Sequence, residues 1–103
     1  AAEEAVEVAD GVHLTPLATT ERMSVSHFHV EPGARVPEHS HPHEQVGFVC
    51  DGALTLLASG EYTVTTGESY ALAGGEVHAA ENRGDVAAAG VDVFSPPREG
   101  FPE

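Results

Sequence analysis

The sequence predicts an all-β domain, either an antiparallel sandwich or a barrel. Short apolar runs recur at intervals of about 8 to 12 residues and are separated by glycine-bearing turns. No segment carries the 3.6-residue period of an amphipathic helix. The chain has 103 residues, 41% of them hydrophobic, which is enough for one hydrophobic core and too few for two.

The N-terminal residues 1–11 are predicted to be an acidic tail that precedes a single domain over residues 12–103. Residues 1–10 fit a frayed tail or a short acidic helix and carry no side chains that suggest chemistry. Residues 12–14 are strand-like. The strand is expected to stop at Thr15-Pro16, because proline removes a backbone donor.

Residues 20–30 alternate in character and predict the next strand. The alternation does not decide which face is inward. One face carries Met23, Val25, His27 and His29, and the other carries Ser24, Ser26, Phe28 and Val30.

Turn signals divide the rest of the chain into strands. Asp51-Gly52 lies between two apolar runs and predicts a two-residue hairpin, because both central positions of such a turn favour positive φ. Pro96-Pro97 ends the last strand. The predicted strands cover residues 34–37, 45–50, 53–58, 62–65, 69–72, 77–81 and 86–95. The aromatic residues expected in the core are Phe28, Phe48, Tyr62 and Tyr70.

The charge balance is strongly acidic. The chain has seventeen acidic residues and four basic ones, all of them arginine, which gives a net charge of −13. Nucleic-acid binding requires a basic surface, so a nucleic-acid partner is not expected. The negative charges repel one another, and this repulsion weakens at high salt, where the Debye length falls to about 3 Å at 1 M. We therefore expect a protein of a high-salt cytoplasm; an ordinary acidic mesophilic protein is the alternative.

No apolar run approaches the roughly 18 residues that a membrane helix requires, and the acidic N-terminus is unlike a signal peptide. A cytoplasmic protein without a membrane partner is expected. Cys50 is the single cysteine, which excludes an intrachain disulfide and a thiolate cluster for zinc. Imidazole, amide or carboxylate groups would have to hold any metal.

The stretch HSHPHEQ concentrates such groups. His39 and His41 are two residues apart, so on an extended chain their side chains leave the same face. Gln45 keeps the same parity and adds a third donor, whereas Glu44 points the other way. A pair of surface histidines is the alternative interpretation, and a fourth donor has to come from elsewhere in the chain.

The spacing resembles the two motifs of the cupin family. The first motif is matched by Gly33, His39, His41, Gln45 and Gly52, with glutamine where glutamate is usual. The second is matched by Gly67, Ala73, Gly75, His78 and Asn82, with alanine where proline is usual. The resemblance implies a double-stranded β-helix, or jelly-roll barrel, with the metal ligands His39, His41, Gln45 and His78.

Three imidazoles and one amide oxygen are neutral donors, so a divalent ion held by them keeps its charge and acts as a strong Lewis acid. The sequence does not choose among zinc, nickel, iron, copper, cobalt and manganese. His43 shares the parity of His41 but falls outside the motif, and we expect it at the rim or behind the ligands; ligation in place of another residue is the alternative. Whether His27 and His29 line the barrel or face solvent is open.

The segment DVFSPPREGF, residues 92–101, is the second stretch with a recognisable pattern. Asp92 and Phe94 share a face of the last strand, and Arg98 follows it. Together with HSHPHEQVGFV, this segment resembles small cupins of the KdgF type, the pectin- and alginate-degradation proteins that linearise unsaturated uronate monosaccharides. The resemblance covers about residues 33–101. It implies a small anionic sugar substrate and places Asp92, Phe94 and Arg98 beside the metal.

The implied reaction is the metal-dependent ring opening of 4,5-unsaturated uronates to 5-keto-4-deoxyuronates. Arg98 would bind the carboxylate bidentately, Asp92 would act as general acid and base, and Phe94 would pack on the sugar ring. Two alternatives remain open, an iron-dependent dioxygenase with the same four ligands and a non-enzymatic sugar- or metal-binding protein. Small cupins commonly pair sheet to sheet, so the resemblance also implies a homodimer.

Overall fold

A computed structural model describes residues 5–98, and within that range it contains ten β-strands and no helix. The described part of the chain therefore holds no helix that is long and apolar enough to cross a membrane. The strands are β1 (Val6–Ala9), β2 (Val12–Thr19), β3 (Ser24–Val30), β4 (Arg35–His39), β5 (Glu44–Asp51), β6 (Ala53–Leu57), β7 (Glu61–Thr65), β8 (Ser69–Leu72), β9 (His78–Glu81) and β10 (Ala88–Ser95).

The strands form two antiparallel sheets. One has six strands in the order β1-β2-β3-β10-β5-β8, and the other has four in the order β4-β9-β6-β7. Apolar side chains from both sheets meet in one core, as the alternation of each strand requires. The core residues are Val12, Phe28, Val30, Val49, Leu54, Leu56, Val64, Ala80 and Ala88. The arrangement is a jelly roll, and the predicted all-β barrel is confirmed.

The burial pattern of β3 shows which of its two faces points into the barrel, a question that the sequence left open. Ser24, Ser26, Phe28 and Val30 are all buried, and the residues between them are partly exposed. His29 lies on the outer face of the sheet, where its Nε2 is 3.0 Å from Glu31 Oε1. His27 shares that outer face and does not line the barrel.

The prediction of a tail or short helix at the N-terminus is wrong for residues 6–9. These residues form β1, which pairs antiparallel with β2 and places Val6 opposite Leu14 and Glu7 opposite His13. An acidic composition does not prevent an edge strand, because its side chains can alternate between solvent and the core. Residues 1–4 and 99–103 lie outside the described range.

Strand β2 does not stop at Thr15-Pro16 as predicted but continues to Thr19. The neighbouring β1 pairs only with residues 12–14, so from residue 15 onward β2 has a single partner, β3. Proline is tolerated where one side of a strand carries no ladder hydrogen bonds. The register with β3 also shifts between Pro16 and Ala18.

The predicted hairpin at Asp51-Gly52 is wrong. Strand β5 belongs to the six-stranded sheet and β6 to the four-stranded one, so the two strands do not pair. Only Gly52 adopts a positive φ, at 75°. A Cβ at residue 52 would meet the backbone carbonyl of Ala87, so glycine is required at this corner for a close approach of the chain.

Two of the four aromatic residues expected in the core are outside it. Phe28 is 3% exposed and is a core residue, but Phe48 is 42% exposed and Tyr62 is 56% exposed. The parity of β5 explains Phe48, because Gln45, Gly47 and Val49 occupy the inward face. Tyr70 packs partly buried against the core cluster.

Candidate metal centre

Three histidines converge inside the barrel. His39 ends β4 and His78 begins β9, and the two residues are direct partners in the ladder between these strands. His41 follows in the next loop. The ring centroids are 4.4 Å apart for His39 and His78 and 5.0 Å apart for His41 and His78. One ring nitrogen from each histidine lies within 4.8 Å of the others, so the three could hold a metal ion.

Backbone carbonyls orient all three rings. The Nδ1 atoms of His39 and His78 each lie 2.8 Å from a carbonyl oxygen two residues earlier in the chain. His41 Nδ1 lies 3.2 Å from the His43 carbonyl oxygen. A carbonyl oxygen only accepts, so each Nδ1 carries the proton and donates. Each neutral ring therefore presents the lone pair of Nε2, the arrangement found in histidine-bound metal sites.

The protonation of the cluster favours metal binding. Burial is the main cause that lowers the pKa of His41 and of His78, and for His41 the charge of Arg98 acts in the same direction. Both rings are therefore held in the neutral form that can ligate. His78 Nε2 is fully buried and has no hydrogen-bond partner among residues 5–98.

Gln45 adds an amide oxygen to the three-histidine cluster. Its Oε1 lies 3.1 Å from His41 Nε2, and its side chain also bonds with Asp92. A carboxylate accepts from the amide nitrogen, which turns the amide oxygen toward the histidines. In the tautomer of His41 that donates from Nδ1, the lone pairs of Nε2 and of the amide oxygen face each other at 3.1 Å, an arrangement that a cation resolves. The donor set and the unpartnered His78 nitrogen thus both fit a divalent metal ion.

Asp92 lies beside this cluster and is 7% exposed. It belongs to a cross-strand row of Ser26, Asp92, Gly47 and Tyr70 over β3, β10, β5 and β8. Burial raises the pKa of Asp92 to about 6, although hydrogen bonds from Tyr70 and Gln45 and the charge of Arg98 oppose the rise. A carboxyl group with such a pKa can both give and take a proton near neutral pH.

Phe94 and Arg98 complete the site. The ring of Phe94 is 2% exposed and meets the rings of His41 and His43 edge-on, with centroids 5.8 Å and 6.2 Å away. The guanidinium carbon of Arg98 lies 5.1 Å from the centroid of Phe94. The backbone amide of Arg98 donates to Ser24 Oγ at 2.9 Å. These contacts hold the cationic side chain against the end of β10.

A cavity of about 270 Å³ connects these groups. The predicted site residues on its wall are His39, Gln45, His78, Asp92, Phe94 and Arg98. Apolar side chains of the core, among them Leu54, Leu56 and Leu72, line the rest. The structure therefore brings three of the four predicted ligands and the predicted substrate-side residues together around one cavity, and His41 lies behind this wall against His78.

Two further histidines lie outside the three-histidine cluster, and a tyrosine contacts Asp92. His43 is 8% exposed, and its ring lies 5.3 Å from that of His41, but it is not part of the three-histidine cluster. His27 is on the outer face. Sequence reasoning placed Tyr70 in the core and missed that it lines the cavity and contacts Asp92. The signal for it was Gly47, since a glycine inside a strand often marks a close approach by another group.

The fold and this site define a class: a small jelly-roll protein that carries a three-histidine cluster inside its barrel. A family model, the cupin domain, matches residues 26–94. This match spans more than half of the chain, so the protein belongs to the cupin family.

Solved structures of other proteins share the fold. KdgF from Halomonas sp. superposes with a TM-score of 0.85 at 22% identity, over 94% of this chain and 89% of the other. An RmlC-like cupin from Shewanella frigidimarina gives 0.85 at 25% identity, over 95% and 87%. A predicted oxalate decarboxylase from Thermotoga maritima gives 0.78 at 17% identity, over 89% and 90%. A comparison with curated protein sequences gives no match.

Proposed function

We propose that this cupin is an enzyme that opens the ring of 4,5-unsaturated uronate monosaccharides to give 5-keto-4-deoxyuronates. The observation that carries the proposal is that an acid/base candidate, Asp92, and a cation, Arg98, line the same cavity as His39 and His78 of the histidine cluster. The similarity in fold to KdgF from Halomonas sp. supports the same assignment.

The proposed cofactor is one divalent transition metal ion, held by His39, His41, His78 and Gln45. When bound, it would supply a Lewis acid whose charge the four neutral donors leave undiminished. Zinc, nickel, iron, copper, cobalt and manganese are all candidates, and metal analysis of the purified protein distinguishes them.

The reaction is an isomerisation that consumes no second substrate. A proton leaves the anomeric hydroxyl, the bond between C1 and the ring oxygen breaks, and a proton is added at C4 as the enol becomes the C5 ketone. Asp92, with its pKa near 6, is suited to take the first proton and to return one. Arg98 lines the cavity and would bind the substrate carboxylate, and Phe94 would form an apolar wall beside it.

The test is to incubate metal-loaded protein with 4,5-unsaturated galacturonate and to follow the absorbance of the conjugated alkene against the spontaneous rate. The proposal predicts faster loss, and it predicts that Asp92→Asn abolishes the acceleration while metal content is retained. Full turnover by Asp92→Asn would remove the acid/base role. No acceleration by the wild-type protein would favour a non-enzymatic sugar-binding cupin, and oxygen consumption would favour a dioxygenase.

A homodimer through the outer face of the six-stranded sheet is part of the proposal. Two cross-strand rows there carry no acidic residue: Val25, Val93, Val46 and Ala71 in one, and His27, Val91, Phe48 and Ser69 in the other. Val46 is 51% exposed and Phe48 is 42% exposed. On a chain with a net charge of −13, an uncharged apolar face is suited to a second copy of itself. Sedimentation should give a dimer for the wild type and a monomer for Phe48→Glu.

A further inference from the structure

Tyr70 reaches across a whole strand to contact Asp92. Its hydroxyl donates to Asp92 Oδ1 at 2.6 Å, although β5 lies between β8 and β10. Gly47 of β5 is the direct cross-strand partner of both residues. A Cβ at residue 47 would collide with the ring end of Tyr70 and would lie 2.6 Å from Asp92 Oδ1. Glycine is therefore required for the tyrosine to pass over β5.

The same network includes the metal-ligand candidate Gln45. Its side chain forms hydrogen bonds with Asp92 and with Tyr70, and its Oε1 lies 3.1 Å from His41 Nε2. The amide nitrogen donates toward Asp92, so the position of that carboxylate determines where the amide oxygen points. Tyr70 donates to the same carboxylate and so holds Asp92 in place. The position of Asp92 in turn orients the side chain of Gln45.

We propose that Tyr70 is a positioning residue that acts through Asp92 on both halves of the site. It holds the carboxylate where it aligns the Gln45 oxygen with the histidine cluster, and where it meets the substrate. The first effect concerns metal affinity and does not depend on the reaction. The second effect rests on the proposed ring opening.

Tyr70→Phe tests the first effect, because it removes the hydroxyl and keeps the ring. Metal-free protein is titrated with Zn²⁺ in a calorimeter. The dissociation constant should rise about tenfold, the size expected when a group that orients a metal ligand is lost. Tyr62→Phe is the matched control, since Tyr62 is 56% exposed and should leave the constant unchanged. Wild-type affinity in Tyr70→Phe would overturn the proposal.

A double-variant comparison separates positioning from a general loss of packing. In a Gln45→Ala background there is no amide to align, so adding Tyr70→Phe should not weaken Zn²⁺ binding further. If Tyr70 only stabilised the fold, the substitution would weaken binding by the same factor in both backgrounds, and the positioning role would be refuted.

The second effect is read from kinetics at saturating metal. Tyr70→Phe should lower kcat about tenfold and change KM by less than about twofold, because Asp92 is misplaced while the carboxylate contact at Arg98 is intact. An unchanged kcat would overturn this half. A wild-type protein without ring-opening activity would refute the proposed function, whereas the Zn²⁺ titrations would still decide the role of Tyr70.

Discussion

Each of the three histidines uses Nδ1 on a backbone carbonyl, and this detail decides which nitrogen can ligate. The carbonyls belong to Pro37, His43 and Glu76, so main chain rather than exchangeable side chains sets the ring orientations. The Nε2 atoms then point inward, and burial keeps His41 and His78 neutral. The three rings are therefore oriented as a possible metal site requires.

His78 and His43 are both buried imidazoles, but only His78 is a predicted ligand. His78→Ala should weaken Zn²⁺ binding by more than about 100-fold, beyond the loss expected for an orienting group. His43→Ala should change the affinity by less than about threefold, because the carbonyl that orients His41 is main chain and remains. Calorimetric titration of both variants is the measurement, and equal losses would contradict the ligand assignment.

The raised pKa of Asp92 predicts a pH-dependent stability in the metal-free protein. Its pKa rises from 3.8 to about 6, so the native state binds the proton more tightly than the unfolded state does. The associated stability is complete below about pH 4 and is lost as the pH rises through 6. Relative to wild type, Asp92→Asn should therefore gain about 2 kcal/mol in unfolding free energy between pH 4 and pH 7. Urea denaturation at several pH values checks this, and parallel curves for the two proteins would contradict it.

At the scale of elements, the register across β10, β5 and β8 assembles the substrate side of the site. Strand parity places Gln45 and Gly47 inward together, and the register places Gly47 between Asp92 and Tyr70. One glycine thus lets side chains from two non-adjacent strands meet over a third.

Gly47→Ala should damage this arrangement although it substitutes none of the metal-ligand candidates. The added methyl group collides with Tyr70 and Asp92, and overpacking of this kind costs about 1–3 kcal/mol. The cost should fall in the double variant with Tyr70→Ala, which removes the ring. Thermal unfolding of the two single variants and the double variant measures the coupling, and strictly additive losses would argue against contact at residue 47.

The sequence was sufficient to predict the all-β class and to point to the three histidines that converge, His39, His41 and His78. Local spacing determines the parity of the first two, and the second motif supplied the distant third. The sequence was not sufficient at Asp51-Gly52, where a turn signal is the same whether the chain returns along its own sheet or crosses to the other. The strand end predicted at Pro16 was wrong for a similar reason. A proline inside β2 is tolerated only where the neighbouring β1 has ended, and the sequence does not show where β1 ends. Tyr70 was missed because Gly47 signals only that some group approaches β5 closely, whereas the identity of that group depends on the cross-strand register.

At the scale of the whole molecule, the acidic surface should make stability depend on salt. The net charge is −13, and the ion pairs between arginine and glutamate within residues 5–98 are largely exposed, such as Arg35 with Glu81 and Arg83 with Glu61. Exposed pairs of this kind contribute little. Screening of the repulsion should therefore dominate the response to added salt.

The melting temperature should rise by roughly 10 °C between no added salt and 2 M KCl. Most of the rise should occur below about 1 M, where the Debye length has already fallen to about 3 Å. Calorimetry over a KCl series is the measurement. A flat response would contradict the high-salt setting proposed for this protein, and a rise that continues linearly would indicate a general salt effect rather than screening.

The most direct test of the account is X-ray absorption spectroscopy of the zinc-loaded protein. The site predicts three imidazole nitrogens at about 2.0–2.1 Å together with oxygen coordination. His78→Ala, loaded at higher zinc concentration, should show two imidazoles instead of three. A wild-type spectrum with fewer than three imidazoles, or a spectrum that His78→Ala leaves unchanged, would contradict the metal centre on which the proposed function depends.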